Sequence, residues 1–315
     1  MRALVTGGAG FIGSHLANAL VEQDWDVRVL DNFFTGRRES VLPGADVIEG
    51  DVADIDVVTR AVDGVDVIFH QAAHRAVPRS IETPLATNRA NTHGTLCVLS
   101  AAHHAGVRRV VCASSSSIYG PTDTFPTPES EPLRPMSPYA VSKLAGEHYC
   151  CVFADLYGMQ TVSLRYFNVY GPRQPPDVPY AQVVPLFIDS MAAGVPATVH
   201  GDGEQRRDFT YIEDVVAANI AAATADGEVV AGKSYNIGGG FDLPVVELLK
   251  LIAQLLGAEP RAEHVPGRAG DVRRTWSDVS AAARDLGWRP RVDLEEGLRR
   301  TIDWYGGADL ATAAR

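Results

Sequence analysis

Apolar and polar positions follow two rhythms along the first half of the chain. Short buried runs alternate with longer stretches whose apolar spacing is near 3.6. Residues 2–6 (Arg-Ala-Leu-Val-Thr) read as a strand, and the pattern behind them predicts a helix through about residue 21. Residues 26–30, 46–49, 65–70 and 107–113 read as further strands, and helices are expected at 54–62 and, in one long piece, at 84–105. Strands rich in β-branched residues, each followed by a helix, predict an α/β fold with a doubly wound parallel sheet. Beyond residue 172 the alternation weakens. Pro172 to Pro179 reads as a proline-rich loop between lobes. Helices at 181–193, 213–225, 244–256 and 294–305, with a short strand at 234–237, predict a smaller α/β lobe. The expected division is therefore 1–171 for the sheet domain and 172–315 mainly for that lobe, with some segments returning to the first.

Chemistry gathers at the strand ends. Gly7-Gly8-Ala9-Gly10-Phe11-Ile12-Gly13 lies between a strand and a helix. Gly7 permits the tight turn, Gly10 the close approach of backbone to a pyrophosphate, and Gly13 close helix packing with the dipole aimed at the phosphates. The next strand delivers Asp31, followed by Asn32. An acid about 20 residues beyond such glycines accepts the adenosine ribose hydroxyls and repels a 2′-phosphate, so the pattern predicts a Rossmann domain that takes NAD rather than NADP. Arg37 and Arg38 are the residues that would serve a phosphate instead. Asp51 and Val52 follow the third strand, where the adenine edge is expected. Gln71-Ala72-Ala73 follow the fourth, small enough for backbone to run along a cofactor.

Two more stretches face the same crevice. Ser114-Ser115-Ser116-Ser117-Ile118-Tyr119-Gly120 leaves the fifth strand with hydroxyls that packing does not require. Ser137-Pro138 opens a helix that carries Tyr139 and Lys143 four residues apart, on one face. A nearby ammonium and the positive helix end both favour the phenolate of Tyr139, which fits it to take a proton from a hydroxyl.

Composition narrows the partners. Of the 315 residues 46% are hydrophobic and 21% charged, ordinary values for a globular chain. A net charge of -11 argues against nucleic acid or an anionic membrane as partner. No apolar run reaches the roughly 18 residues that span a bilayer, and a glycine motif beginning at residue 7 leaves no room for a signal peptide. Cys97, Cys112, Cys150 and Cys151 have neither metal-ligand nor disulfide spacing and read as small apolar groups in a reducing cytoplasm. His70, His74, His103 and His104 show no metal pattern and read as structural or surface residues. No metal is expected.

Taken in order, these motifs resemble the extended short-chain dehydrogenase/reductase family, in its nucleotide-sugar branch, and most of all the UDP-hexose 4-epimerases. The resemblance also rests on Arg165-Tyr166-Phe167-Asn168-Val169-Tyr170-Gly171-Pro172-Arg173, on residues 201–209 and on Arg268-Ala269-Gly270-Asp271. It implies Tyr139 as the base on the sugar 4-hydroxyl, Lys143 on the nicotinamide ribose, and Ser115 as the catalytic hydroxyl, with Ser116 and Ser117 beside the substrate. It implies Phe167 and Asn91 near the cofactor and Asn168 near the substrate phosphates. Arg207 and Arg268 would hold the diphosphate by bidentate contacts. Asp271 would meet the uridine ribose and Thr198-Val199-His200 the uracil, while Arg206 reads as a solvated surface charge. Thr275 stands where a small residue admits a 2-N-acetyl group. Arg75 and Gln182 depart from the N-acetylhexosamine pattern, and Arg75 would meet a cofactor phosphate or an acidic sugar. The resemblance further implies a homodimer in which the 84–105 helix and the Tyr139 helix pair into a four-helix bundle.

The implied reaction is NAD-dependent 4-epimerisation of UDP-Glc or UDP-GlcNAc through a 4-keto sugar. UDP-glucuronate 4-epimerase, decarboxylase or another nucleotide-sugar enzyme of the family is the alternative. A 4,6-dehydratase is disfavoured, because Ser116 and Ser117 replace the Asp-Glu pair of that group. A non-catalytic NAD-binding scaffold is the alternative of another class, and intact Ser115, Tyr139 and Lys143 argue against it.

Overall fold

The computed structural model describes residues 1–176, 182–267 and 270–307. Its centre is a seven-stranded sheet. The strands β1 (Arg2–Thr6), β2 (Asp26–Asp31), β3 (Asp46–Glu49), β4 (Val67–His70), β5 (Arg109–Ser115) and β6 (Gln160–Tyr166) are joined by a seventh, Lys233–Ile237. Across the sheet the order is 233–237, β6, β5, β4, β1, β2, β3, and every pairing is parallel. The order reverses between β1 and β4. A crevice therefore opens at their carboxyl ends, where doubly wound sheets take their ligands.

Burial on both faces follows from the strand period of two. Ala3, Val5, Val29, Phe69 and Val111 pack against the helices α1 (Phe11–Glu22) and Ile212–Thr224 on one side. Leu4, Leu30, Ile68 and Val110 pack on the other against α2 (Ile55–Ala61), the helix Gly94–His104 and the long helix Pro138–Tyr157. Runs of β-branched residues with no polar face are what such a doubly covered sheet demands. Between β6 and the long helix, Arg165 and Glu147 form a buried ion pair. Glu147 also accepts from Ser114 Oγ (2.9 Å), and Arg165 donates to the Tyr119 hydroxyl (2.7 Å). Losing one partner of such a pair strands a buried charge, at a cost of about 3–5 kcal/mol.

The helix expected at 84–105 runs unbroken from Pro84 to His104, with one wide π turn inside it. A short helix, Val77–Glu82, precedes Pro84–Asn88, and a π-helical segment, Arg89–His93, joins the latter to Gly94–His104. Apolar periodicity changes little across a single wide turn, so the pattern hides it. The strand expected at 234–237 exists, but it closes the edge of the main sheet, and the helix expected at 213–225 packs on that sheet beside α1, so neither lies in the smaller lobe. That lobe holds Val183–Ala192, Val245–Leu256 and the parallel pair Ala197–His200 with Ala262–Val265. No helix among the described residues is long and apolar enough to cross a membrane.

Candidate active site

A cavity of about 490 Å³ runs along the carboxyl ends of the strands and under the smaller lobe. At its floor the backbone turns after β1. Gly7 has a φ of +67°, and a Cβ there would lie 2.7 Å from the backbone of Ala72. A Cβ on Gly13 would lie 2.0 Å from the Gly7 carbonyl oxygen. Only glycine allows the turn and the helix start to touch in this way. The Gly10 amide bonds Gly7 and the Ser14 amide bonds Gly10, so α1 begins directly at the loop. The result is a diphosphate-sized cradle, open on the cavity side and at the positive end of a helix.

Asp31 stands at the rim of the cradle. Its carboxylate accepts from the Ala9 amide (2.9 Å) and the Phe33 amide (2.8 Å), which fixes it beside the glycine loop with lone pairs left for ribose hydroxyls. Arg38 is committed elsewhere, paired with Glu49 (2.9 Å) and lying over the Phe33 ring (4.4 Å). The cradle and its adjacent carboxylate fit a dinucleotide whose ribose is not phosphorylated. Phe11, Ile12, Asn32, Asp51, Val52, Gln71, Ala72 and Ala73 line this half of the cavity, as the sequence predicts. Gln71 does so with its amide engaged to Tyr166 (3.1 Å) and Asn219 (2.9 Å).

The other half holds the reactive side chains. Ser137 caps the long helix by accepting from the Ala140 amide (3.2 Å), and Pro138 occupies the first turn. Tyr139 is thereby set at the positive helix end. Its phenol lies beside Ser115, whose Oγ accepts from Ser117 Oγ (2.9 Å). Burial pushes the phenol pKa up, while the Ser115 contact and the Arg75 charge pull it down. Lys143 serves the phenol less directly than its spacing implies. Its Nζ donates to the Ala113 carbonyl (2.8 Å), and burial lowers its pKa to about 8. The cation that acts on the phenol here is Arg75, which has no hydrogen bond or ion pair among the described residues.

Toward the smaller lobe the cavity is lined by Ser116, Asn168, Gln182, Thr198, Val199, His200, Arg207, Asp271 and Thr275. Asn168 donates to the Asp208 carbonyl (2.8 Å), and Thr275 Oγ1 accepts from the Asp208 amide (3.2 Å). The Asp208 carboxyl is held by Ser277 and the Gly239 amide (2.6 Å), and burial raises its pKa to about 7. Arg207 is half-buried, with Asp271 at 4.0 Å. Gln182 accepts from Gln174 (3.2 Å). Arg268 lies outside the described residues. Arg206 is not a free surface charge, since it pairs with Asp242 (2.5 Å).

Two expected cofactor contacts do not reach the cavity. Asn91 is buried in the π-helical segment, where its side chain bonds the His74 amide (2.7 Å), the His74 carbonyl (3.1 Å) and Ser142 (2.9 Å). It shapes the wall from behind. Phe167 is fully buried against Ile118 and Tyr119. Conversely, Phe34, His74, Tyr166 and Gln205 line the cavity without having been assigned a place there. His74 had read as structural or surface, and neither it nor Phe34 has a distinguishing local pattern. His70 is structural, clasped between Thr6 (2.7 Å) and Thr95 (2.9 Å).

Comparison with known proteins follows the same lines. Residues 3–238 match the family described as NAD dependent epimerase/dehydratase. A putative UDP-glucose 4-epimerase of Methanocaldococcus jannaschii is 39% identical, covering 96% of this chain and 97% of that protein. The crystal structure of UDP-glucose 4-epimerase with UDP-glucose from Thermotoga maritima superposes with a TM-score of 0.94 at 37% identity, covering 98% of this chain and 99% of that one. That of the Thermus thermophilus UDP-glucose 4-epimerase complex with NAD gives 0.91 at 39% identity, over 98% and 100%.

Proposed function

The chain belongs to the NAD dependent epimerase/dehydratase family, and from that premise we propose that it is an isomerase that interconverts the 4-epimers of a UDP-hexose. One observation carries the reading. A tyrosine at a helix start, beside Ser115, shares a single cavity with a glycine cradle at one end and the half-buried cation Arg207 at the other.

NAD held by Gly7, Gly10, Gly13 and Asp31 supplies the place where hydride from C4 of the sugar is stored and returned. Tyr139 removes the 4-hydroxyl proton as the 4-keto sugar forms, and Ser115 holds that oxygen by a hydrogen bond. Lys143, its ammonium held at the Ala113 carbonyl, binds the nicotinamide ribose. Arg207 and Asn168 fix the diphosphate, Asp271 the uridine ribose, and residues 198–200 the uracil. The anchored nucleotide leaves the sugar free to turn between hydride transfers, so the proton returns from the same tyrosine. Thr275, a small side chain lining the cavity and tethered to Asp208, supports UDP-GlcNAc as a substrate beside UDP-Glc.

No carboxylate supports a dehydratase at the reaction end. Among the described residues the carboxylates lining the cavity are Asp31, Asp51 and Asp271, all at the nucleotide ends, and Glu147 behind the serine run is paired with Arg165. Arg75, beside Tyr139 and without a hydrogen bond or ion pair among the described residues, favours a second reading, that the sugar carries a carboxylate, as in UDP-glucuronate. Incubation with UDP-Glc, UDP-GlcNAc and UDP-GlcA, with products identified by NMR, decides. A 4-epimer of one of them is the expected product. Release of carbon dioxide or water, or NAD binding with no turnover of any, overturns the assignment.

Arg75 carries a pH prediction. The base must be a phenolate, so activity is lost as pH falls through its pKa. In Arg75→Gln the phenolate loses a neighbouring cation, and the acid limb of kcat/KM moves to higher pH. An unmoved limb removes Arg75 from the proton-handling step.

We read the enzyme as a cytoplasmic homodimer. Its four cysteines are free, as a reducing compartment keeps them. Val141, Val152 and Leu156 are exposed along one stripe of the long helix, and Leu85 on the adjacent helix is 85% exposed. Such a stripe on neighbouring helices suits a four-helix interface. Leu156→Glu is expected to sediment as a monomer while the parent sediments as a dimer. Equal sedimentation of the two defeats that reading.

A further inference from the structure

The rim of the cradle carries an arrangement that neither hydride transfer nor sugar binding uses. Phe34 projects from the loop after β2 and is 56% exposed, unusual for so large an apolar ring. Its ring lies flat on His74 from the loop after β4, with centroids 4.6 Å apart and planes 22° from parallel. Arg79, from the helix Val77–Glu82, lies over the Phe34 ring at 5.0 Å. Two loops that flank the cavity are thus tied together across it by one exposed aromatic ring.

Both loops are built to hold that contact. Asn32 accepts from the Phe34 amide (3.1 Å), and Asn91 grips both backbone groups of His74. Positive φ values at non-glycine residues occur at four described positions, and two of them lie here. Phe33 (53°) directly precedes Phe34, and Ala76 (89°) stands between His74 and Arg79. Backbone held in this sparsely populated region signals a shape imposed by its surroundings and concentrates at ligand clamps. The neighbours identify what lies beneath. Asp31, Asn32, Asp51 and Val52 line the cavity alongside Phe34 and His74, so the tie crosses the part assigned to the adenosine of NAD.

We propose that Phe34, clamped between His74 and Arg79, is a latch over the adenosine end of the NAD site that sets how fast the dinucleotide leaves. The latch rests on the assignment of that end of the cavity to NAD. A dinucleotide seated on the cradle cannot pass outward between the two loops while the ring bridges them. Release then requires the stack and the cation contact to separate first, and a small residue at 34 removes both. Each contact is modest at an exposed site, and together they correspond to roughly a tenfold change in rate. The device fits a catalyst that regenerates its cofactor within each turnover and has no need to exchange it.

The test loads the purified full-length chain with NAD labelled in the adenine ring, adds excess unlabelled NAD, and follows release. Phe34→Ala is expected to release label roughly tenfold faster than the parent, His74→Ala, which removes the stack alone, about threefold faster, and Phe34→Tyr, which keeps the ring, within about twofold of the parent. Label retained by Phe34→Ala and His74→Ala as long as by the parent overturns the latch alone. A parent chain that holds no NAD overturns the latch together with the reading of the cradle, so the two failures are distinct.

Discussion

Tyr139→Phe is expected to lower turnover of the UDP-sugar by about a thousandfold, within the 10²–10⁴ range that a positioned acid–base group contributes. The phenyl ring fills the same space at the start of the long helix, and only the hydroxyl beside Ser115 is lost. The Ser137 cap, the Pro138 start and the helix core do not depend on that hydroxyl. NAD content and unfolding midpoint should therefore stay near those of the parent while the rate collapses. This separation is the point of the measurement, since a merely structural tyrosine would move stability and rate together. Turnover within tenfold of the parent would remove Tyr139 from the proton-transfer role.

The second large effect concerns the cradle. Gly13→Ala places a methyl group 2.0 Å from the Gly7 carbonyl oxygen and 2.9 Å from Gly8 Cα, both backbone. Neither can swing aside as a side chain would. The loop must move away from α1, and the amides that face a diphosphate move with it. Overpacking of this kind costs about 3 kcal/mol, which in affinity is roughly a hundredfold. The variant is expected to purify without NAD and to bind it about a hundred times more weakly in calorimetry, with a lower unfolding midpoint. A variant that retains NAD at parental stoichiometry would show that the loop does not form the cradle.

What the sequence made legible has a physical pattern. The glycine loop, Asp31 and the helix start at Ser137 are local: a turn that excludes Cβ atoms, an acid ending a strand, a capped proline. Each depends on residues within a few positions, and each appears in the structure at those residues. What stayed hidden depends on partners far apart in the chain. Phe34 and His74 are 40 positions apart, so nothing in either loop announces their stacking. Asn91 and Phe167 belong to stretches that run past the cofactor region, yet local spacing does not say which layer a side chain occupies. Their partners place both behind the wall. Lys143 sits on the same helical face as Tyr139, as a spacing of four requires, but the nearby Ala113 carbonyl takes its ammonium group. The wide turn at Arg89–His93 leaves the apolar rhythm almost unchanged.

The edge strand Lys233–Ile237 bears on how this enzyme can be divided. It pairs with β6 over five residues, from Lys233 beside Val162 to Ile237 beside Tyr166. The chain thus leaves the sheet after β6, builds helices and strands over the cavity, and comes back to cover the rim it left open. A fragment ending near residue 171 would keep the glycine loop, Ser115, Tyr139 and Lys143. It would also carry β6, almost wholly buried in the full chain, as an unprotected parallel edge ready to pair with another molecule. The reactive half therefore does not travel alone. Recombination with another substrate lobe has to respect the returning strand, and exchanges that keep residues 233–237 with the sheet are the ones expected to stay soluble.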